Sequence, residues 1–179
     1  MSRAEALLDR CVEYLSRTGF GDQSLRQIAA GVQSSHRMLI YHFGSREGLL
    51  AAVVARVEAE QRAALAELST LDAATGAEAF WHRLADPALA PPERLFFEVY
   101  ALALHHPDWA AGFRDAVITA WLAPTTAALA ERGHTPEEAA ARARLALAAV
   151  RGLLMDLLLT GDREGVDAAA AAFRRMLFA

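Results

Sequence analysis

The chain reads as all-α, with about nine helices. Three observations predict this. The composition is rich in Ala, Leu and Arg and poor in β-branched residues, which favours helix over strand. Apolar residues recur three and four apart over most of the chain, the period of one helix face. Start and stop signals punctuate those runs. The clearest start is Thr135-Pro136-Glu137-Glu138, a cap followed by Pro at the first position and Glu at the third. At 179 residues the chain is one or two domains and long enough to bury a core.

The first helix is expected from about Arg3 to Arg17, with Ala4, Leu7, Leu8, Cys11, Val12 and Leu15 as its apolar stripe. Ser2 and Glu5 form a capping box. Gly19 ends the helix and Phe20 plugs a small core. Ser24 with Gln27 is a second capping box, and Ile28, Ala29 and Val32 give the helix after it an inner face. Gln33-Ser34-Ser35 breaks the pattern, and Ser34 or Ser35 caps a third helix that turns Leu39 and Phe43 inward. Ser45 caps a fourth, expected to reach Leu71, with Leu49, Leu50, Val53, Val54 and Val57 inside.

Asp72 to Gly76 reads as a loop and Glu78 to Leu84 as a short helix. Pro91-Pro92-Glu93 starts the next helix, which stops at His105-His106-Pro107. Asp108 begins another, kinked or ended by Pro124, and Gly133 closes the segment. The helix from Thr135 runs to Thr160, where Gly161 stops it. Its second half is apolar nearly all round, so it must be covered on every side. A last helix runs from about Arg163 to Phe178.

Two short helices joined by a tight turn, the second rich in polar donors, is the arrangement that sets a helix in the major groove of DNA. Residues 3 to about 54 resemble the tetracycline-repressor (TetR) family of bacterial transcription regulators. The carriers are Arg3, Gly19-Phe20, Ser24-Leu25-Arg26-Gln27-Ile28-Ala29, Leu39-Ile40-Tyr41-His42-Phe43 and Ser45-Arg46-Glu47-Gly48-Leu49-Leu50, in the family's spacing. The chain departs from the family in the turn, where Gln33 replaces the usual Gly and Ser34 an apolar residue. A left-handed backbone costs Gln more than Gly.

The resemblance implies a three-helix DNA-binding domain over residues 1–47 and a helical ligand-binding and dimerisation domain over residues 48–179. Ser34, Ser35, His36, Arg37 and Met38 open the third helix, where base edges are read. Arg37 can grip guanine O6 and N7 with two hydrogen bonds. The family implies backbone contacts from Tyr41, His42 and Arg46, and from Ser24 on the second helix.

Charge fits such a division. The formal charge is −4, but residues 1 to 50 hold six Arg against five acids, while the remainder holds twelve Arg against seventeen acids. The lone Cys11 excludes an internal disulfide and suits a reducing compartment. No leader and no membrane span are read, so a soluble, cytoplasmic protein is expected. No phosphate loop, nucleophile elbow or metal-ligand spacing occurs, so no enzyme activity, cofactor or metal is expected.

The resemblance also implies a sensing pocket. Trp81, Phe97, Tyr100, Trp109, Phe113 and Trp121 are its candidate walls, and His105, Arg151, Met155 and Asp156 the candidate groups beside them. Aromatics at helical spacing are more often core than pocket. The last two helices look like the family's dimer seam, with Val150, Leu154, Leu157 and Leu158 on one and Val166, Ala170, Phe173 and Leu177 on the other. The expected function is a homodimeric, ligand-responsive regulator that binds a near-palindromic DNA operator, represses, and is released by a small apolar or aromatic inducer. The alternative is a helical dimeric small-molecule binder or adaptor whose DNA-binding surface has decayed.

Overall fold

Helices begin where a side chain can satisfy the free N–H groups of a first turn. The computed structural model describes residues 2–68, 71–105 and 113–178. Among them lie nine α-helices: α1 Arg3–Thr18, α2 Leu25–Gly31, α3 His36–Phe43, α4 Arg46–Glu67, α5 Ala73–Leu84, α6 Ala90–His105, α7 Ala120–Glu131, α8 Pro136–Thr160 and α9 Arg163–Phe178. Ser2, Ser24 and Thr135 each close a capping box with the residue three further on. Ser35 caps α3 and the Ser45 hydroxyl accepts Gly48 N–H at 3.0 Å. Gly161 sits left-handed past the end of α8. The expected starts and stops of these elements hold.

Three boundaries differ. The α4 helix ends at Glu67 rather than Leu71. The stretch read as a loop from Asp72 is helical from Ala73, because the Asp72 carboxylate accepts the N–H groups of Ala74 and Thr75. Gly76 is no breaker there. A Cβ on it would stand 3.1 Å from the Leu68 carbonyl oxygen, so glycine admits a close helix approach. Pro124 does not end its helix. The chain widens to a π turn over Asp115–Thr119 and passes into α7 with Pro124 inside it. The Thr125 hydroxyl bonds the Trp121 carbonyl at 2.8 Å nearby. The start expected at Asp108 lies outside the described residues.

Contacts gather the chain into two units, Met1–Glu60 with Ala90–Val117, and Gln61–Leu89 with Ile118–Ala179. In the first, Leu7, Cys11, Leu15, Phe20, Ile28, Leu39, Leu49, Leu50, Val53, Val54 and the α6 residues Leu95, Phe96 and Val99 are buried. Each such Leu or Phe contributes about 1.5–3 kcal/mol. Burial pushes the Cys11 thiol up to about 11 against the opposing charge of Arg10, so it is an inert filler of the core.

The second unit has its own cores. Phe80, Leu84 and Trp121 pack with Leu65, Leu68, Leu147 and Val150, and Leu129, Ala139 and Ala143 with Leu122. A polar clamp joins α5 to α9. The Trp81 indole N–H donates to Asp167 Oδ1 at 2.7 Å, and Arg163 Nε to Asp167 Oδ2 at 2.6 Å. Arg163 also donates to the Ala85 carbonyl, which lies at the end of α5. No helix among the described residues is long and apolar enough to cross a membrane.

Candidate nucleic-acid interface

The turn between α2 and α3 is closed by two backbone bonds. Ser34 N–H reaches back to the Ala29 carbonyl at 2.8 Å and Gln33 N–H to Ala30 at 3.2 Å. This is the Schellman pattern, which requires a left-handed residue just past the helix. Gln33 occupies that place with φ 51°, the one positive φ outside glycine among the described residues. The departure from Gly therefore leaves the turn's geometry intact and loads its cost onto Gln33.

Two contacts from α1 support the turn. Arg10 Nε donates to the Val32 carbonyl at 3.2 Å. Tyr14 packs against Gly31, where an added Cβ would stand 2.3 Å from its ring. A shallow cleft lined by Arg10, Glu13, Tyr14, Arg17 and residues 31–33 opens beside them.

With the turn set, α3 shows a fixed outer face. Leu39 is fully buried and anchors the helix. At about 100° per residue, Arg37 and Tyr41 stand nearly opposite it. His36, Arg37 and Met38 are exposed, and Tyr41 is 78 % exposed. Ser35 spends its hydroxyl on Met38 N–H at 3.2 Å. Ser34 and His42 are half-buried, and the His42 ring meets Tyr41 edge-on at 4.9 Å. Ser24 is exposed at the start of α2 but shares its hydroxyl with Gln27.

Arg46 has a task that the sequence hid. Its Nε donates to the Gln23 carbonyl and its Nη2 to the Gly21 carbonyl, both at 2.9 Å, while its guanidinium lies 3.8 Å over the Phe20 ring. It staples the α1–α2 loop to the start of α4. Gln23 works on the same loop, accepting from Tyr14 Oη at 2.9 Å and donating to the Gly19 carbonyl at 2.8 Å. The Glu98 carboxylate of α6 takes the Phe20 N–H. No local spacing signals Gln23 or Glu98, because their partners are main-chain or distant atoms.

The candidate sensing residues fall in both units. Phe97, Tyr100, His105 and Phe113 belong to the first. There Tyr100 meets Phe96 at 5.6 Å and Phe113 edge-on at 6.0 Å, while His105 is exposed at the end of α6. Trp81, Trp121, Arg151, Met155 and Asp156 belong to the second. Trp81 and Trp121 are buried, Arg151 is half-buried, and Met155 and Asp156 are exposed. Trp109 lies outside the described residues.

The candidate seam residues sort by depth. Leu154, Val166 and Ala170 are buried within their own unit and offer no surface. Val150, Leu157, Leu158, Phe173 and Leu177 are half-buried. Leu145, Met155 and Leu159 on α8 and Met176 on α9 are the exposed large apolar groups, Leu159 at 85 %.

Residues 7–53 match the family model for bacterial regulatory proteins of the tetR family. No curated protein matches. Among solved structures, a transcriptional regulator from Rhodococcus sp. Rha1 superposes with a TM-score of 0.79 at 22 % identity, over 99 % of this chain and 96 % of that one. A TetR transcriptional regulator from Legionella pneumophila gives 0.67 at 22 %, over 98 % and 97 %. Salmonella enterica GusR gives 0.74 at 20 %, over 99 % and 96 %. Residues 7–53 are thus similar to bacterial regulatory proteins of the tetR family, and the solved structures share the fold of the chain over nearly its whole length.

Proposed function

We propose that the chain is a ligand-responsive repressor that binds a near-palindromic operator as a homodimer and is released by a small apolar or aromatic inducer. Residues 1–47 read DNA, and residues 48–179 sense and dimerise. One observation carries the DNA-reading part. A capped α3, held by a closed Schellman turn, turns Arg37 and Tyr41 to solvent on the side nearly opposite its buried Leu39. Arg37 supplies the two-pronged donor for a guanine edge. Tyr41, His42 and residues at the helix starts supply phosphate contacts that fix register without reading sequence.

The apolar groups left bare on α8 and α9 support dimerisation. Leu145, Met155, Leu159 and Met176 are large, and burying each against a second copy would contribute about 1.5–3 kcal/mol. Two α3 helices then enter successive major grooves about 34–36 Å apart. An inducer among the aromatics acts only through unequal affinity for two conformations of the dimer. Repression and a cytoplasmic setting follow from the family's habit.

Selection of full-length protein on a randomised duplex library tests this. The expected product is a near-palindrome with half-sites one helical turn apart. A library that emerges unenriched would favour the adaptor reading, in which the head no longer reads DNA.

A further inference from the structure

Among the described residues of the first unit, the exposed large apolar groups are Met38, Ile40, Tyr41 and Leu104. Three of the four sit on the eight-residue α3. A single bare apolar side chain is ordinary, but three on one short helix beside an Arg form a patch. The rest of α3's apolar content is inside: Leu39 is fully buried and Phe43 half-buried. Ile40 is 39 % exposed, and nothing in the capping or turn chemistry calls for an apolar residue there.

Around the helix, Ile40 stands beside Arg37 and Met38 beside Tyr41, at about 100° per residue. Ile40 is thus the apolar neighbour of the guanine-reading group. Inside a major groove the apolar feature of a base edge is the 5-methyl of thymine; cytosine carries hydrogen there. Resting on the DNA-reading function above, we propose that Ile40 is a specificity residue that packs on a thymine methyl in each half-site. Residues three apart on a helix stand about 5–6 Å apart, and bases stack about 3.4 Å apart along a strand. The thymine therefore lies one or two base pairs from the guanine held by Arg37.

The test removes only the methyl. A duplex enriched from the random library is remade with uracil replacing each thymine in turn, and full-length protein is titrated by fluorescence anisotropy. One uracil position per half-site, within two base pairs of the Arg37-dependent guanine, should weaken binding about fourfold, the worth of one buried methyl. Ile40→Ala should bind the thymine and uracil duplexes alike. Alanine favours helix at this exposed place, so the variant keeps its fold, which circular dichroism checks. Ile40→Val, retaining β-branching, should keep part of the discrimination. The proposal is overturned if no thymine responds to uracil, or if Ile40→Ala stays as sensitive as the natural protein. In both of those cases an enriched near-palindrome still upholds DNA reading. A library with no enriched duplex overturns the two together.

Discussion

The Glu98 carboxylate accepts the backbone N–H of Phe20 at 2.8 Å, across 78 residues of sequence. It thereby ties α6 to the residue that plugs the head's core. The preceding Gly19 makes room for it. Gly19 holds φ 69° and ψ 173°, a region open essentially to glycine, and a Cβ there would stand 3.2 Å from Glu98 Oε1. Gly19→Ala should cost about 1–3 kcal/mol in urea unfolding. Glu98→Ala should cost about 1 kcal/mol, while Glu98→Gln, which keeps an acceptor oxygen, should cost less.

Gln33 offers the opposite experiment. It bears a left-handed backbone that glycine adopts without strain. Gln33→Gly should relieve about 1–2 kcal/mol of strain and return up to about 1 kcal/mol in chain entropy. The expected net is a rise of about 1–4 °C in the thermal midpoint, with the selected DNA sequence unchanged.

Arg46 separates a structural task from an electrostatic one. Losing two charged hydrogen bonds and the stacking on Phe20 should make Arg46→Ala about 2 kcal/mol less stable, allowing for its partial exposure. Lysine cannot reproduce the planar fork, so Arg46→Lys should recover little stability. If the same guanidinium also meets a phosphate, the salt slope of DNA binding falls by about one in Arg46→Ala and is retained in Arg46→Lys.

Acid should open the clamp at Asp167. Burial raises this carboxyl, but hydrogen bonds from Arg163 and Trp81 outweigh it and hold the group below the usual carboxylate range. Its contribution is therefore complete above the unfolded value near about pH 4 and is lost as pH falls through the lower folded value. Urea midpoints measured between neutral pH and about pH 3 should decline less steeply in Asp167→Asn than in the natural protein.

Dimerisation should fail before folding does. Met155 and Leu159 are exposed in the single chain, so glutamate at both costs little within it. Sedimentation at micromolar concentration should then show single chains with native helix content, and affinity for the palindrome should drop to that of one half-site.

What the sequence disclosed was local chemistry. Ser24 meets Gln27 and Thr135 meets Glu138 within three residues, so each cap could be read directly. The strain at Gln33 was equally visible, since one turn needs one left-handed residue. The stapling task of Arg46 was hidden because its partners are carbonyls 23 and 25 residues away, and main-chain oxygens have no letter in a sequence. Asp72 was read as part of a loop reaching Gly76 rather than as a cap. Only the approach of the Leu68 carbonyl explains a glycine inside α5. Of the candidate aromatics, Trp81, Phe113 and Trp121 are buried, and spacing alone does not separate a core residue from a pocket wall.

Gly31 and Tyr14 leave no space between them for even one more carbon atom. The angle at which α2 leaves α1 is thus set by a ring resting on bare main chain, independent of whatever the outer side of α3 displays. A head built this way is a chassis. New outward residues from another regulator, grafted at positions 36–38 and 40–41, should inherit its orientation and redirect it to a different operator, provided those two inner positions are left alone.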